Sequence, residues 1–195
     1  MNKGRLEAFS DGVIAILITI MVLELRTPEG VTWHALATRV PVLLIYLLTF
    51  VFLGIYWNNH HHLLQATERI NGRILWANLH LLFWLSLIPF AMRWMAEEPT
   101  AAAPNAFYGV LLLCSGIAYL ILQHLIVAAQ GPHSKLRAVL EHDVKGNMSA
   151  ILYLLGIVFA FVSHWIAQAI YVFVALMWLI PEPRIEESGL GEKHQ

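Results

Sequence analysis

The sequence predicts an all-α integral membrane protein of six transmembrane helices, and three observations carry that expectation. Of 195 residues, 58% are hydrophobic and 13% are charged, against roughly 45–50% apolar and about 25% charged in a soluble domain. The charges cluster at Met1–Arg5, Glu68–Arg73, Arg93–Glu98, Lys135–Lys145 and Pro181–Gln195. Between the clusters lie apolar runs of the ~20 residues that a helix needs to cross a bilayer.

Taken in order, these runs place helices near 6–25, 38–58, 73–92, 105–129, 147–164 and 166–181. The first is retained rather than cleaved, because Glu24, Leu25 and Arg26 stand where a small-residue cleavage site would be. Pro28 with Gly30, Pro99 with Pro104, and Gly131 with Pro132 supply the breaks, since proline and glycine punctuate helices. Only Ser163, His164, Trp165 and Gln168 divide the last two runs, and their joint length favours a hairpin over one bent helix. The second and third spans are joined by a His-rich hairpin. Residues 1–181 thus form one six-helix transmembrane domain, and 182–195 a short, charged cytosolic tail.

Lysine and arginine set the orientation. With six spans and the N-terminus inside, the inner side carries Lys3, Arg5, Arg69, Arg73, Lys135, Arg137, Lys145, Arg184 and Lys193, and the outer side only Arg26, Arg39 and Arg93. That bias follows the positive-inside rule, so both termini face the cytoplasm across the cell membrane. A net charge of −1 leaves no basic footprint for nucleic acid. The single cysteine, Cys114, excludes a disulfide framework within one chain and a cysteine metal cluster. Trp33, Trp57, Trp76, Trp94 and Trp165 fall near helix ends and read as interfacial belts.

The densest motif opens the first helix: Arg5, Phe9, Ser10, Asp11 and Gly12, then an apolar run from Val13 to Leu23 broken only by Thr19. An ionisable residue in a span is costly, so Asp11 must be paired, hydrated or interfacial. At about 100° per residue, Ile16, Ile20 and Leu23 fall within about 60° of one another, with Gly12 and Thr19 on the flanks of that stripe. Ser10 and Asp11 lie on the other side. The helix therefore divides into a polar face that bonds to its neighbours and an aliphatic face that meets lipid, a core or a pore axis. Spacing alone favours the core, because such stripes are usually packing surfaces.

Arg5-x-x-x-Phe9-Ser10-Asp11 at the head of a six-helix chain resembles the signature of the transmembrane protein 175 family of potassium channels, in its short prokaryotic form. The end of the second span, Trp57-Asn58-Asn59-His60-His61, and the third span from Asn78 to Pro89-Phe90 are similar as well. The likeness covers the first half of the chain; the second half matches in helix count and polarity. The resemblance implies a homotetramer around a central pore, because relatives with two six-helix units dimerise and this chain has one unit. It implies a potassium-preferring cation channel lined by the first helix. The hydrophobic constriction would begin at Ile16, five residues after the motif aspartate, and continue at Ile20 and Leu23. Thr19 would contribute to cation preference, and Arg5, Phe9, Ser10 and Asp11 would brace the bundle. With the resemblance added, the pore reading of the stripe overtakes the core reading.

The implied partners are potassium and other monovalent cations, the bilayer and further copies of the chain, with no cofactor. Two other readings compete. His60, His61, His62, His80, His124 and His164 suggest a membrane-embedded metal- or His-dependent protein, but consecutive histidines on a helix point about 100° apart and cannot share one ion comfortably, and interhelical hydrogen bonds or headgroup-level positions are the favoured reading for them. No nucleophile or paired carboxylates point to an enzyme. A secondary transporter would carry an inverted repeat or matching broken spans, and none is visible.

Overall fold

The computed structural model describes residues 2–67, 69–130 and 144–179. Helix α1 runs over Lys3–Leu23, α2 over Trp33–Ala37, α3 over Val40–Gln65, α4 over Gly72–Ser86 and α5 over Ile88–Glu97. It is followed by α6 over Ala102–Gln130, α7 over Val144–Ala160 and α8 over His164–Leu179. The helix starts have local causes. Asn2, Thr32 and Asn71 cap α1, α2 and α4 by accepting from the backbone N–H groups of Gly4, Ala35 and Ile74, which satisfies donors that a helix start otherwise leaves orphaned.

Helices α4 and α5 form one broken span, Gly72–Glu97. The break falls at Leu87, just before Pro89, whose missing N–H and ring forbid a regular turn. Together with α1, α3 and α6 this makes four helices, among the described residues, long and apolar enough to cross a membrane. Helices α7 and α8 are shorter, the latter 16 residues or about 24 Å at 1.5 Å per residue. They turn back on each other through residues 161–163. Trp178 near the end of α8 donates to Ser149 near the start of α7 at 2.9 Å, so the pair is an antiparallel hairpin rather than one bent helix.

The last two apolar runs of the sequence reading thus form a hairpin, of helices shorter than the four candidate spans, while three details differ. Helix α3 continues to Gln65, so His60, His61 and His62 occupy its last turns instead of a connecting hairpin. Pro104 lies inside the first turn of α6, where proline is tolerated because its absent N–H would have had no partner; it does not break the chain there. The five-residue α2 interrupts the loop between the first two spans and was not foreseen. Gly131, Pro132, Lys135, Arg137, Arg184, Lys193 and the tail 182–195 lie outside the described residues.

Helix α6 is the hub, packing on α4, α5, α7 and α8. Tyr171 of α8 explains how closely the hairpin approaches it. Its ring lies against Gly109 of α6 and Gly156 of α7, where a Cβ on either glycine would collide with the ring or its hydroxyl. The hydroxyl donates to the Asn105 carbonyl at 3.0 Å. Gly116, by contrast, has nothing nearer than 3.8 Å to an added Cβ. Several buried polar groups elsewhere are paired within the bundle, whereas Ser115 Oγ and His60 Nδ1 are buried without a hydrogen-bond partner among the described residues. Thr49 Oγ1 lies 3.0 Å from the Tyr108 hydroxyl, and Gln168 Nε2 donates to Asn105 Oδ1 at 2.9 Å. Such pairing is favoured where lipid replaces water.

Candidate functional site

Helix α1 packs mainly on α3, α4 and α5. One face is buried by Leu6, Ser10, Ile14, Leu17 and Met21, spaced at three or four residues as one side of a helix must be. The opposite face is left open among the described residues. Ile16 is 57% exposed and Leu23 79%, and Phe9, Gly12, Thr19 and Ile20 are exposed along the same side. Arg5 is exposed as well and falls within about 20° of Ile16 around the helix axis at 100° per residue.

The Arg-x-x-x-Phe-Ser-Asp motif therefore divides between two faces. Ser10 is fully buried and accepts a hydrogen bond from Asn78 Nδ2 of α4 at 2.9 Å. The Asn78 oxygen lies 2.7 Å from His60 Nε2 of α3, so one buried amide ties three helices together. With that oxygen as acceptor, His60 Nε2 carries the hydrogen and donates. Asp11 Oδ1 accepts from Trp57 Nε1 at 3.0 Å, which answers the demand for a partner to that carboxylate. Arg5 and Phe9 take no part in this bracing inside one chain; they stand with Ile16 on the open face. Helical angle separates Ser10 and Asp11 from the stripe in the sequence, whereas Arg5 and Phe9 are joined to them there by the motif resemblance and not by angle.

The ends of α1 are tied differently. At the start, Lys3 Nζ donates to the Gln65 carbonyl at 2.6 Å, placing a cation at the negative end of α3. At the finish, Arg93 Nη1 meets Glu24 Oε2 at 2.8 Å and Arg93 Nε meets Glu97 Oε1 at 3.3 Å, while Arg26 joins Glu97 at 2.9 Å. This four-residue network crosses from α1 to α5 directly beyond Leu23. The sequence showed its residues only as separate charges.

Thr19 donates its hydroxyl to the Ile16 carbonyl at 2.8 Å. Its oxygen keeps acceptor capacity on the open face. Ile16, Ile20 and Leu23 offer no polar atom there. Among the described residues the stripe is thus an aliphatic track with the Thr19 oxygen at its flank.

The histidines diverge. His60 points to Asn78, His61 stacks on Trp57 and bonds Gln65, and His62 is exposed. His80 accepts from Trp84, His124 lies against the Leu120 carbonyl, and His164 sits beside Trp165. Among the described residues, no three His, Cys, Asp or Glu side chains converge as a metal site would require.

An all-helical bundle with four candidate spans among the described residues, braced by buried polar bonds and leaving apolar faces uncovered on α1 and on the other long helices, defines a multi-pass membrane protein. The family model of the endosomal/lysosomal potassium channel TMEM175 matches residues 5–89. A potassium channel of Chryseobacterium sp. (strain P1-3) is 53% identical over 188 residues, covering 96% of this chain and 98% of the relative. One of Streptomyces collinus is 28% identical over 97% of this chain and 99% of its own length. The crystal structure of a TMEM175 homolog from Chamaesiphon minutus superimposes with a TM-score of 0.80 at 25% identity, covering 91% of this chain and 96% of that one. The chain belongs to the TMEM175 family, in its prokaryotic form.

Proposed function

We infer that this chain is a potassium channel and not an enzyme, conducting passively along the uncovered face of α1. Near end-to-end similarity to potassium channels of its own length supports the class of activity. The single observation that carries the pore assignment is the open stripe itself. Ile16, Ile20 and Leu23 are apolar, exposed and aligned on a helix whose other face is fully engaged.

In this reading the conducting unit is a homotetramer of six-span chains with the four α1 helices at the axis, since a stripe on one helix must be repeated around an axis to enclose a path. Ile16 forms the tightest ring, and Ile20 and Leu23 extend a dry constriction that gates by dewetting. Thr19 presents an acceptor oxygen to a partly dehydrated cation, which favours potassium, modestly, because potassium releases hydration water more readily than sodium. Ser10 and Asp11 hold each α1 from behind through Asn78 and Trp57. Arg5 and Phe9, on the open face, contact neighbouring copies near the pore entrance.

The cell membrane is its site, with Lys3, Arg5, Arg69, Arg73 and Lys145 gathered at the cytoplasmic end and Arg26, Arg39 and Arg93 at the other. Residues 1–181 form the channel domain and 182–195 its cytosolic tail. Protein reconstituted in liposomes loaded with potassium should give electrogenic flux that needs no coupled ion, scored against a valinomycin control for total capacity. Flux that depends on a second ion would point to a transporter. Crosslinking in detergent that yields monomers only would remove the tetramer.

A further inference from the structure

An open groove runs along the seam of α4 and α6, at the end of the bundle where Lys3 meets Gln65. One wall is a single face of α4, carrying Arg73, Trp76 and His80 at three- and four-residue spacing. Ile121 and Leu125 of α6 form the other wall. Gly72 stands at the mouth, where an added Cβ would meet nothing within 4 Å. The free volume is about 860 Å3, within the roughly 300–1,000 Å3 of small-molecule sites. Helix α1 contributes no residue to it, so the groove is separate from the Ile16 stripe.

Its chemistry is ordered along its length. Arg73, in the first turn of the Gly72–Glu97 span, is exposed, and the ion pairs among the described residues engage Lys3, Arg26 and Arg93 instead. His80 stands seven residues further on, about 10 Å along the axis at 1.5 Å per residue. Trp84 Nε1 donates to its Nε2 at 2.8 Å, so the neutral ring carries its hydrogen on Nδ1, a donor that bonds no other described residue. Trp76, 76% exposed, lies between these two polar groups, and Ile121 and Leu125 face them. Among the described residues no carboxylate lines the groove.

We propose that this groove holds an anionic glycerophospholipid of the surrounding leaflet, with its phosphate on Arg73, an ester carbonyl on His80 Nδ1 and the first methylenes of its chains against Trp76, Ile121 and Leu125. A guanidinium fork matches phosphate oxygens two at a time, and a basic groove between spans at the membrane surface is suited to an anionic headgroup. An N–H set back from that surface has no water to bond, and the ester carbonyl is the acceptor that a lipid brings to it. Arg73 alone would suit a free phosphate. The apolar walls beside it give the rest of the groove to hydrocarbon, which gains dispersion contact there.

Native mass spectrometry of the purified full chain in detergent tests this, with dioleoyl phosphatidylglycerol compared with dioleoyl phosphatidylcholine. The two share phosphate, esters and chains and differ in the choline cation, which a groove without a carboxylate leaves unpaired. Wild type should retain one phosphatidylglycerol per chain, about fivefold more tightly than phosphatidylcholine, the worth of one basic residue at an anionic surface. Arg73→Gln should abolish that preference. Arg69→Gln, exposed at the same end but outside the groove, should keep it. His80→Phe should weaken both lipids several-fold, and millimolar inorganic phosphate should displace neither. Equal binding of the two lipids by wild type overturns the proposal, as does equal loss in Arg69→Gln and Arg73→Gln, which would mean diffuse surface charge. Displacement by phosphate, His80→Phe that binds like wild type, or wild type that holds no lipid because a second copy covers the groove overturns it as well. If His80→Phe fails to assemble, the two exposed arginines decide.

Discussion

Asn78 Nδ2 donates to Ser10 Oγ at 2.9 Å inside the bundle, and this bond sets the rotation of α1. With Ser10 held inward, a residue six positions later is turned about 120° away at 100° per residue, and that residue is Ile16. The open face of α1 is thus a consequence of a polar contact made on its opposite side.

Replacing Asn78 by alanine should therefore destabilise the bundle by about 1–3 kcal/mol for each buried group left unpaired, here the Ser10 hydroxyl and His60 Nε2. Thermal melting in detergent reads this directly. Ser10→Ala strands only the Asn78 amide donor and should cost less. Equal melting of Asn78→Ala and wild type would mean that water replaces the amide.

Asp11 offers a sharper comparison, because the bond from Trp57 needs an acceptor and not a charge. Asp11→Asn retains a carbonyl oxygen and should assemble close to normally. Asp11→Ala leaves Trp57 Nε1 without its partner and should lose oligomer in crosslinking. The order wild type, Asp11→Asn, Asp11→Ala is the expected result; asparagine as harmful as alanine would show that the negative charge is what matters.

Tyr171 leads to a third expectation. Gly109→Ala and Gly156→Ala each push a methyl into its ring or hydroxyl, and overpacking of this kind costs about 1–3 kcal/mol. Gly116→Ala meets only ordinary contact at 3.8 Å and should melt like wild type. The pair Gly109→Ala with Tyr171→Phe should recover part of the loss, since the colliding atom is the hydroxyl oxygen.

How far the sequence could foretell this arrangement differs from element to element. Four spans were legible because lipid demands long apolar runs, whereas the break at Leu87 before Pro89 inside the third was not foreseen. The separation of Ser10 and Asp11 from Ile16, Ile20 and Leu23 followed from helical angle alone. The partners did not. Nothing in the order of residues joins Asn78 to Ser10 or Arg93 to Glu24, because those contacts depend on which helices pack together and at what height. Interhelical hydrogen bonding, rather than metal binding, is the reading the sequence favours for the histidines, and His60 makes such a bond to Asn78; its partner was not legible, nor was the continuation of α3 through His60, His61 and His62. Glycine density in α6 and α7 was equally mute. Gly109 and Gly156 receive a tyrosine from a distant helix and Gly116 does not, a difference that only tertiary placement creates.

The last prediction addresses the conduction path. If four copies bring Ile16 to a common axis, the narrowest section is a ring of branched aliphatic side chains with no donor or acceptor to replace an ion's hydration shell, and a closed ring of that kind excludes water. Ile16→Asn puts amides in the ring, keeps it wet and should raise basal potassium flux from liposomes severalfold. Val22 is the control. It is exposed on the same helix but lies about 120° from Ile16 at 100° per residue, so Val22→Asn should leave flux near the wild-type level. Neither residue packs in the buried face of α1, so both variants should melt alike and a folding defect cannot imitate the difference. Thr19→Val, which deletes the only oxygen flanking the stripe, should leave total flux measurable while reducing the preference for potassium over sodium. Equal flux in Ile16→Asn, Val22→Asn and wild type would place the conduction path somewhere other than this face of α1.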